Sequence, residues 1–278
     1  MQLGNEGDDR GNVEDRRGFQ VGGIHLGLGG LLVVGVLSLV FRTNLFSVVE
    51  QSQGQSGAPV AQDGPQVDQR KQAEQGLEKV AVGSFNDVQK SWAQTLRNYR
   101  DAKLVLFWDE TQSGCGGAQS AMGPFYCPAD ERVYLDLGFY KELATRFGAP
   151  GDFAQAYVVA HEVGHHVQKL MGISGKVEQA QRRDPSARNA LSVKLELQAD
   201  CFAGVWGHSA AQRKLLDPGD VDAGLRAAAS VGDDRIAKMA GRRIAPESFT
   251  HGSAEQRSSW FKRGLDKGDA EDCDTFAE

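Results

Sequence analysis

The chain has 278 residues, of which 40% are hydrophobic and 24% are charged, proportions typical of a globular protein with a buried core. Its formal net charge is −6, and no block of lysine and arginine is interleaved with aromatic residues. Both features argue against a nucleic-acid-binding protein, which usually presents a basic surface. We therefore expect no nucleic acid among the partners of this chain.

Residues 21–41 contain no charged side chain across twenty-one positions. A helix needs about 20 apolar residues to cross a bilayer. A cleavable signal peptide would have a shorter apolar run, followed directly by a small-residue cleavage site, and no such site follows here. We therefore predict an uncleaved transmembrane helix over residues 21–41. Because Arg10, Arg16 and Arg17 precede it and only Arg42 follows closely, residues 1–20 are predicted to be a cytoplasmic tail.

Residues 42–72 are predicted to form a flexible linker, since 51–72 are rich in Gln, Gly, Ser and Pro and contain few large apolar residues. The remaining residues, 73–278, are predicted to fold as one domain outside the cytoplasm. This places the domain on the periplasmic or extracellular side of a single-pass cell-membrane protein.

All four cysteines follow the predicted span, and none belongs to a Cys-x-x-Cys pair. An even number of cysteines outside the cytoplasm favours two disulfides over a zinc ribbon. Three pairings are possible. We prefer Cys115–Cys127, which closes a short Gly-rich loop, together with Cys201–Cys273; four reduced thiols would require the opposite membrane topology.

The first elements of the domain combine one helix with short strands. Apolar residues recur at helical intervals over 85–99, where Asn86 or Asp87 is the predicted N-cap. Strands are predicted at 102–109 and at 131–137, where apolar and polar residues alternate.

The later elements are predicted to be helices. Asp152 is expected to cap a long helix, and Asp184 with Pro185 to begin another that runs to about Gly207. Shorter helices are predicted at 138–147, 220–230 and 253–268. The sequence therefore predicts an α+β fold, mainly helical, with a small sheet.

The stretch "YVVAHEVGHHVQ", residues 157–168, contains His161, Glu162 and His165 in the order H-E-x-x-H. Positions i and i+4 share one face of a helix, so both imidazoles can bind one ion. Glu162 would lie beside that ion without binding it, where a carboxylate can take a proton from water. The pattern also arises by chance, so it predicts a metal site only if a third ligand exists.

Catalytic zinc usually has three protein ligands. The candidates for the third are His166, His208, His251 and several carboxylates. His166 follows His165 directly and points about 100° away around the helix, so we expect it to be a bystander. Glu196, on a second apolar and buried helix, is the preferred third ligand. Asp200, one turn later, is expected to accept a hydrogen bond from the outer nitrogen of a ligand histidine.

"AHEVGHHVQ" followed by "ELQADCFAG" is similar to the gluzincin arrangement, H-E-x-x-H and then E-x-x-x-D. More closely, the chain resembles the bacterial, membrane-anchored family described as putative neutral zinc metallopeptidases. The likeness extends to "NVEDRRG", "GPFYCPAD", "VYLDLGFY", "SFTHGSAEQR" and "CDTF". It implies a zincin-like domain with one Zn²⁺ per chain, bound by His161, His165 and Glu196, and with Glu162 as the catalytic base.

Further positions follow from the mechanism. Peptide hydrolysis develops an oxyanion that needs a donor, and His251 is a candidate for this catalytic role, with Arg257 as a supporting charge. A surface histidine in a helix-capping loop is the alternative. The strand that contains Tyr134 is expected to be an edge strand that pairs with an extended substrate. Tyr157 is expected in the core.

We predict a membrane-anchored zinc endopeptidase that acts on a peptide or protein substrate. The alternative is a zinc-containing module of the cell envelope that binds peptides or acts as a scaffold without cleaving them. The intact Glu162 favours the enzyme, because a structural metal site needs no base. Hydrolysis of another kind of amide is a third possibility, and the sequence assigns no oligomeric state.

Overall fold

The computed structural model describes residues 1–3, 8–20, 60–61 and 64–277. The predicted transmembrane helix, 21–41, and most of the predicted linker lie outside these residues. Within the described ranges, none of the helices combines the length and the apolar character needed to cross a membrane.

The described residues form eight α-helices. Their bounds are α1 Pro65–Thr95, α2 Gly138–Thr145, α3 Asp152–Leu170, α4 Ile173–Arg183, α5 Arg188–Gln212, α6 Asp220–Ser230, α7 Asp233–Met239 and α8 Ala254–Lys267. The same ranges contain eight short strands. These are β1 Val13–Asp15, β2 Phe19–Gln20, β3 Val60–Ala61, β4 Lys103–Leu106, β5 Glu110–Ser113, β6 Gly116–Gln119, β7 Phe125–Cys127 and β8 Arg132–Leu135.

The main sheet has four strands in the order β1-β4-β8-β7. β1, β4 and β8 are parallel, with Leu104 opposite both Val13 and Val133. β7 is antiparallel to β8 and places Tyr126 opposite Val133. Two antiparallel pairs, β2–β3 and β5–β6, complete the strand structure of the described residues.

One hydrophobic core joins this sheet to α1, α3, α5 and α8. Its large members are fully or almost fully buried and contribute about 1.5–3 kcal/mol each through burial. They include Phe85, Trp92, Leu104, Phe153, Phe202, Trp206 and Phe261. This arrangement confirms the predicted α+β fold with a small sheet.

Helix α1 is much longer than the predicted helix over 85–99. It begins at Pro65, eight residues before the predicted domain boundary at residue 73. Asn86 and Asp87 are buried within the helix instead of capping it. Asp87 accepts a hydrogen bond from the indole N–H of Trp206 at 2.8 Å and pairs with Arg213 at 2.5 Å, and these two partners explain a buried acidic side chain at this position.

The N-terminal residues also differ from the predicted separate tail. β1 pairs with β4, and Arg17, 2% exposed, lies in an ion cluster with Asp15, Glu74 and Glu78. Strand pairing and buried ion pairs require direct contact between residues 13–17 and the rest of the domain. Residues 8–20 therefore pack into the folded domain.

The N-caps of the two predicted helices shift by one and three residues. Gly151 occupies the N-cap of α3, and Asp152 is the first residue of the helix, where its charge favours the N-terminus. Asp184 instead caps a short 3₁₀ helix by accepting the Ser186 N–H, and α5 follows from Arg188 to Gln212.

Both preferred disulfides are present. Cys115–Cys127 joins the end of the β5–β6 hairpin to β7, with 5.8 Å between Cα atoms. Cys201–Cys273 joins α5 to the C-terminal segment, with 5.6 Å between Cα atoms. The predicted pairing is confirmed.

Candidate metal centre

The site forms where α3 crosses α5. At this crossing a Cβ atom on Gly164 would lie 3.0 Å from the carbonyl oxygen of Ala199, closer than most side chains tolerate. Gly164, inside the H-E-x-x-H segment, therefore permits the two backbones to approach. The approach brings His161 and His165 on α3 against Glu196 on α5.

The three predicted ligands lie together. Their candidate ligand atoms are all within 4.8 Å of one another. His161 Nε2 is 3.2 Å from one Glu196 oxygen, and His165 Nε2 is 3.4 Å from the other. Ligands about 2.0–2.1 Å from a tetrahedral ion lie about 3.4 Å apart, so these residues fit a zinc ion.

The outer side of His161 is held by a buried polar network. His161 Nδ1 donates to Asp200 Oδ1 at 2.8 Å, which leaves Nε2 to face Glu196. The Tyr157 hydroxyl donates to the same oxygen at 2.5 Å. Asp200 therefore lies where it was predicted, and Tyr157, predicted to be a core residue, is fully buried but also bonded to this carboxylate.

Arg257 differs from its expected place as a charge beside His251. It is 4% exposed, and its Nε and Nη2 donate to the two oxygens of Asp200 at 2.8 and 3.0 Å. A buried carboxylate needs such a partner. Arg257 therefore neutralises Asp200 behind His161.

The outer side of His165 is held by a neutral group. His165 Nδ1 donates to the side-chain oxygen of Gln168 at 2.9 Å. Both histidines thus have a hydrogen-bond acceptor at Nδ1 and direct Nε2 toward Glu196, the tautomer that metal binding through Nε2 requires.

The electrostatics of the cluster favour a cation. Burial lowers the pKa of His161, but the charge of Asp200 and its hydrogen bond outweigh burial and raise that pKa to about 10. Burial raises the pKa of Glu196, yet the charge of His165 and the close contacts of both histidines with the carboxylate hold that pKa well below its usual value. The carboxylates therefore dominate the local potential.

Glu162 lies beside the ligand pair and is 8% exposed. Burial raises the pKa of its carboxyl group, although the charges of His161 and His165 act in the opposite direction. The backbone N–H of Tyr126, in β7, also acts to lower this pKa. A carboxylate with a raised pKa is a stronger base than an ordinary glutamate.

The site opens to solvent on one side. The His161 side chain is 8% exposed, whereas those of His165 and Glu196 are 20% and 18% exposed. The ligand cluster is therefore accessible to solvent from the side of His165 and Glu196.

His251 lies in the loop before α8, and its charge contributes to lowering the pKa of Glu196. Its side chain is about half exposed, and its Nδ1 lies 3.3 Å from Asp233 Oδ1. Asp233 also accepts the backbone N–H groups of Thr250, His251 and Gly252 at 2.8, 2.7 and 3.1 Å. Burial lowers the pKa of His251, but the hydrogen bond with Asp233 and the charge of Glu196 raise it.

His166 points away from the three ligand atoms, as its place on the helix predicts. Its ring is fully buried, with Nε2 donating to the Arg100 carbonyl at 2.7 Å and Nδ1 2.9 Å from the Tyr126 hydroxyl. His166 therefore fastens β7 to α3.

The expectation that the Tyr134 strand forms the sheet edge is wrong. β8 lies between β4 and β7, and Tyr134 is fully buried and stacked on Phe125 at 4.9 Å. β7 is the edge strand beside α3. The alternating pattern of β8 indicates a strand but does not show how many neighbours it has.

Sequence reasoning missed Gln168, Asp233 and Tyr126. Gln168 follows His165 by three positions, so helical spacing alone would have placed it on the same face. Asp233 and Tyr126 reach the site only through tertiary packing, for which the sequence contains no spacing signal.

Comparisons with known proteins agree with this geometry. Residues 3–276 match the family described as "Putative neutral zinc metallopeptidase". The chain is 45% identical to "Uncharacterized protein YpfJ" of Escherichia coli (strain K12), over 96% of each chain. It is 43% identical to "Uncharacterized protein Mb2605" of Mycobacterium bovis, over 70% of this chain and 69% of the other. No solved structure matches the chain. The chain therefore belongs to the family of putative neutral zinc metallopeptidases.

Proposed function

We propose that this protein is a zinc-dependent endopeptidase in which Glu162 is the general base. The observation that carries the proposal is the convergence of His161, His165 and Glu196 on one point, with Glu162 beside them and one side open to solvent. A purely structural zinc site is usually closed by four protein ligands. Here the described residues supply three.

We assign a separate role to each residue of the proposed site. His161, His165 and Glu196 hold one zinc ion, which when bound supplies the Lewis acidity that activates water and polarises a carbonyl group. Glu162 takes a proton from the attacking water and delivers it to the leaving amine. His251, held by Asp233, donates to the oxygen that becomes negative in the transition state.

The edge strand β7 supports a peptide as the substrate. An extended peptide can add to the free edge of a sheet through its backbone, which selects for chain direction more than for sequence. β7 ends beside α3, and its Tyr126 N–H reaches Glu162. A peptide paired along β7 would therefore pass the base.

We also propose that the domain acts at the cell membrane, on the periplasmic or extracellular side. The two disulfides support an oxidising compartment. The uncharged residues 21–41 are proposed as the membrane contact. Because β1 is paired with β4, this proposal keeps residues 1–20 on the same side as the domain.

The test is Glu162→Gln in the full chain. Peptide-library cleavage, followed by mass spectrometry, is expected to fall by about 10²–10⁴-fold, because the variant has lost its base. Zinc content should remain one ion per chain. Cleavage at the wild-type rate in the variant would contradict the assignment. Wild-type protein that binds peptides stoichiometrically without cleaving them would favour the scaffold function.

A further inference from the structure

We propose that Gln168 and Gln198 are positioning residues of the metal centre. They form a directed chain of hydrogen bonds that begins at the His165 ring and ends on the C-terminal segment at Cys273. This inference rests on the proposed zinc site, whose ligand His165 the chain would orient.

The first part of the chain crosses from α3 to α5. Gln168 is fully buried, and its oxygen accepts the Nδ1–H of His165 at 2.9 Å. Its amide nitrogen donates to the Leu195 carbonyl at 2.7 Å and to the Gln198 side-chain oxygen at 3.1 Å. The amide of Gln168 therefore has a partner for its oxygen and for both of its N–H groups.

The second part leads to the C-terminus. Gln198 is 4% exposed, and its amide nitrogen donates to the backbone carbonyl of Cys273 at 3.0 Å. The Cys201–Cys273 disulfide fixes this carbonyl, and Thr275 donates from its hydroxyl to the Lys194 carbonyl at 2.7 Å. The C-terminal segment is thus anchored to α5 on both sides of the acceptor.

The donor and acceptor of every hydrogen bond in this series follow from its last acceptor, the Cys273 carbonyl. A backbone carbonyl can only accept, so the end of Gln198 that faces Cys273 must be its NH₂ group, and its oxygen must face Gln168. The same argument turns the oxygen of Gln168 toward His165. His165 must then carry its proton on Nδ1 and leave Nε2 free for the metal.

This arrangement differs from the one behind His161. There the acceptor is the charged Asp200, paired with Arg257. Behind His165 the buried partners are neutral amides, so orientation comes from geometry and not from charge. Outer partners of ligand histidines commonly affect metal affinity by about 10–100-fold.

The test compares three substitutions by methionine, which keep a similar side-chain length and remove the amide. Gln168→Met should weaken zinc binding by about 100-fold, and Gln198→Met by about tenfold, in chelator competition on the full chain. Among the described residues, Gln198 forms hydrogen bonds with Gln168 and Cys273 and with none of the proposed ligands, so its effect reports the hydrogen-bond chain. The control is Gln89→Met. Gln89 is 3% exposed, and within the described part of the protein its side-chain oxygen accepts from Ala102 and Tyr99, which are not part of the hydrogen-bond chain.

A second readout is proton exchange at His165 Nδ1 in the zinc-loaded protein, followed by NMR. Gln198→Met should speed this exchange, whereas Gln89→Met should not, and thermal unfolding verifies that each variant folds. If Gln168→Met fails to fold, the zinc affinity and proton exchange of Gln198→Met test the inference. Wild-type zinc affinity and exchange in Gln198→Met would overturn the inference. Wild-type protein that binds no zinc would instead overturn the proposed function.

Discussion

Two histidines outside the proposed ligand pair, His166 and His251, differ in their surroundings. His166 is fully buried and uses both ring nitrogens for internal hydrogen bonds. His251 is about half exposed, and within the described residues its hydrogen bonds are on the Nδ1 side, to Asp233 and Thr250. This exposure is consistent with the proposed role of its Nε2 as a donor to substrate.

His251→Ala is expected to lower kcat by about 10²–10³-fold, as removal of one oxyanion donor does in other enzymes. KM and zinc content should change little, because the ring holds neither the metal nor the ground-state peptide. Steady-state kinetics and metal analysis measure these quantities. His208→Ala is the control, since His208 bonds to Leu265 and Gln212 instead. An unchanged kcat in His251→Ala would remove His251 from the mechanism.

The sequence identifies one part of this site better than the other. His161, His165, Glu196 and Asp200 are predictable because helical spacing determines which side chains share a face. Asp233 and Arg257 take their places only when loops and helices distant in sequence pack together, so their partners are not predictable in the same way.

At the scale of elements, the α5–α8 contact depends on two glycines. A Cβ atom on Gly204 would lie 2.1 Å from the Phe261 carbonyl oxygen, and one on Gly264 would lie 1.9 Å from the Cys201 carbonyl oxygen. The helices therefore touch backbone to backbone. This contact carries Arg257, on α8, to Asp200, on α5.

Gly204→Ala should lower the free energy of unfolding by about 1–3 kcal/mol or more, because the helices must separate to admit the methyl group. Chemical denaturation measures the change. The control is Gly76→Ala in α1, where nothing lies within 4 Å of the added Cβ. That variant should gain up to about 1 kcal/mol from helix propensity. Equal stability of Gly204→Ala and wild type would contradict the close contact.

The β7–β8 turn is fastened to α3 by Glu131. Its carboxylate pairs with Lys169 at 2.7 Å and with Arg100 at 2.5 Å. The hydrogen bond from Arg100 is the main cause that lowers the pKa of Glu131 from 4.5 to about 2. The turn, and with it the edge strand, is therefore held against α3 by charge.

Glu131→Gln should reduce stability by up to about 1 kcal/mol at neutral pH, since the pairs are partly solvated. The folded pKa lies below the unfolded value, so the ionised group stabilises the fold above about pH 4.5 and this contribution disappears as the pH falls toward about 2. Denaturation of both proteins across this range measures the difference. A difference independent of pH would argue against the ionic contribution.

The alternation of apolar and polar residues predicts that a strand forms, but not which strands lie beside it in the sheet. Alternation in residues 131–137 predicts a strand correctly, but the edge position belongs to β7, whose three residues are too few to show a period. The sequence does not predict the early start of α1, for a different reason. Its first turns are polar, and polar helices look like linkers until a partner such as Arg17 is known.

At the scale of the whole molecule, the position of β1 determines a topology that can be measured. Asp8→Cys and Glu255→Cys each place a new thiol at an exposed position, the first before β1 and the second in α8. With β1 paired to β4, both should react with a membrane-impermeant maleimide from the same side of intact cells. Labelling from opposite sides would show that residues 1–20 are a separate tail.

The β1–β4 pairing also has a consequence for the order of events during synthesis. Val13 leaves the ribosome long before its partner Leu104, so β1 has no strand to pair with until β4 has been made. An apolar segment inserted into a membrane as it emerges would fix the side of β1 while β4 does not yet exist. The rates of translation and of membrane insertion would then affect whether β1 can pair with β4.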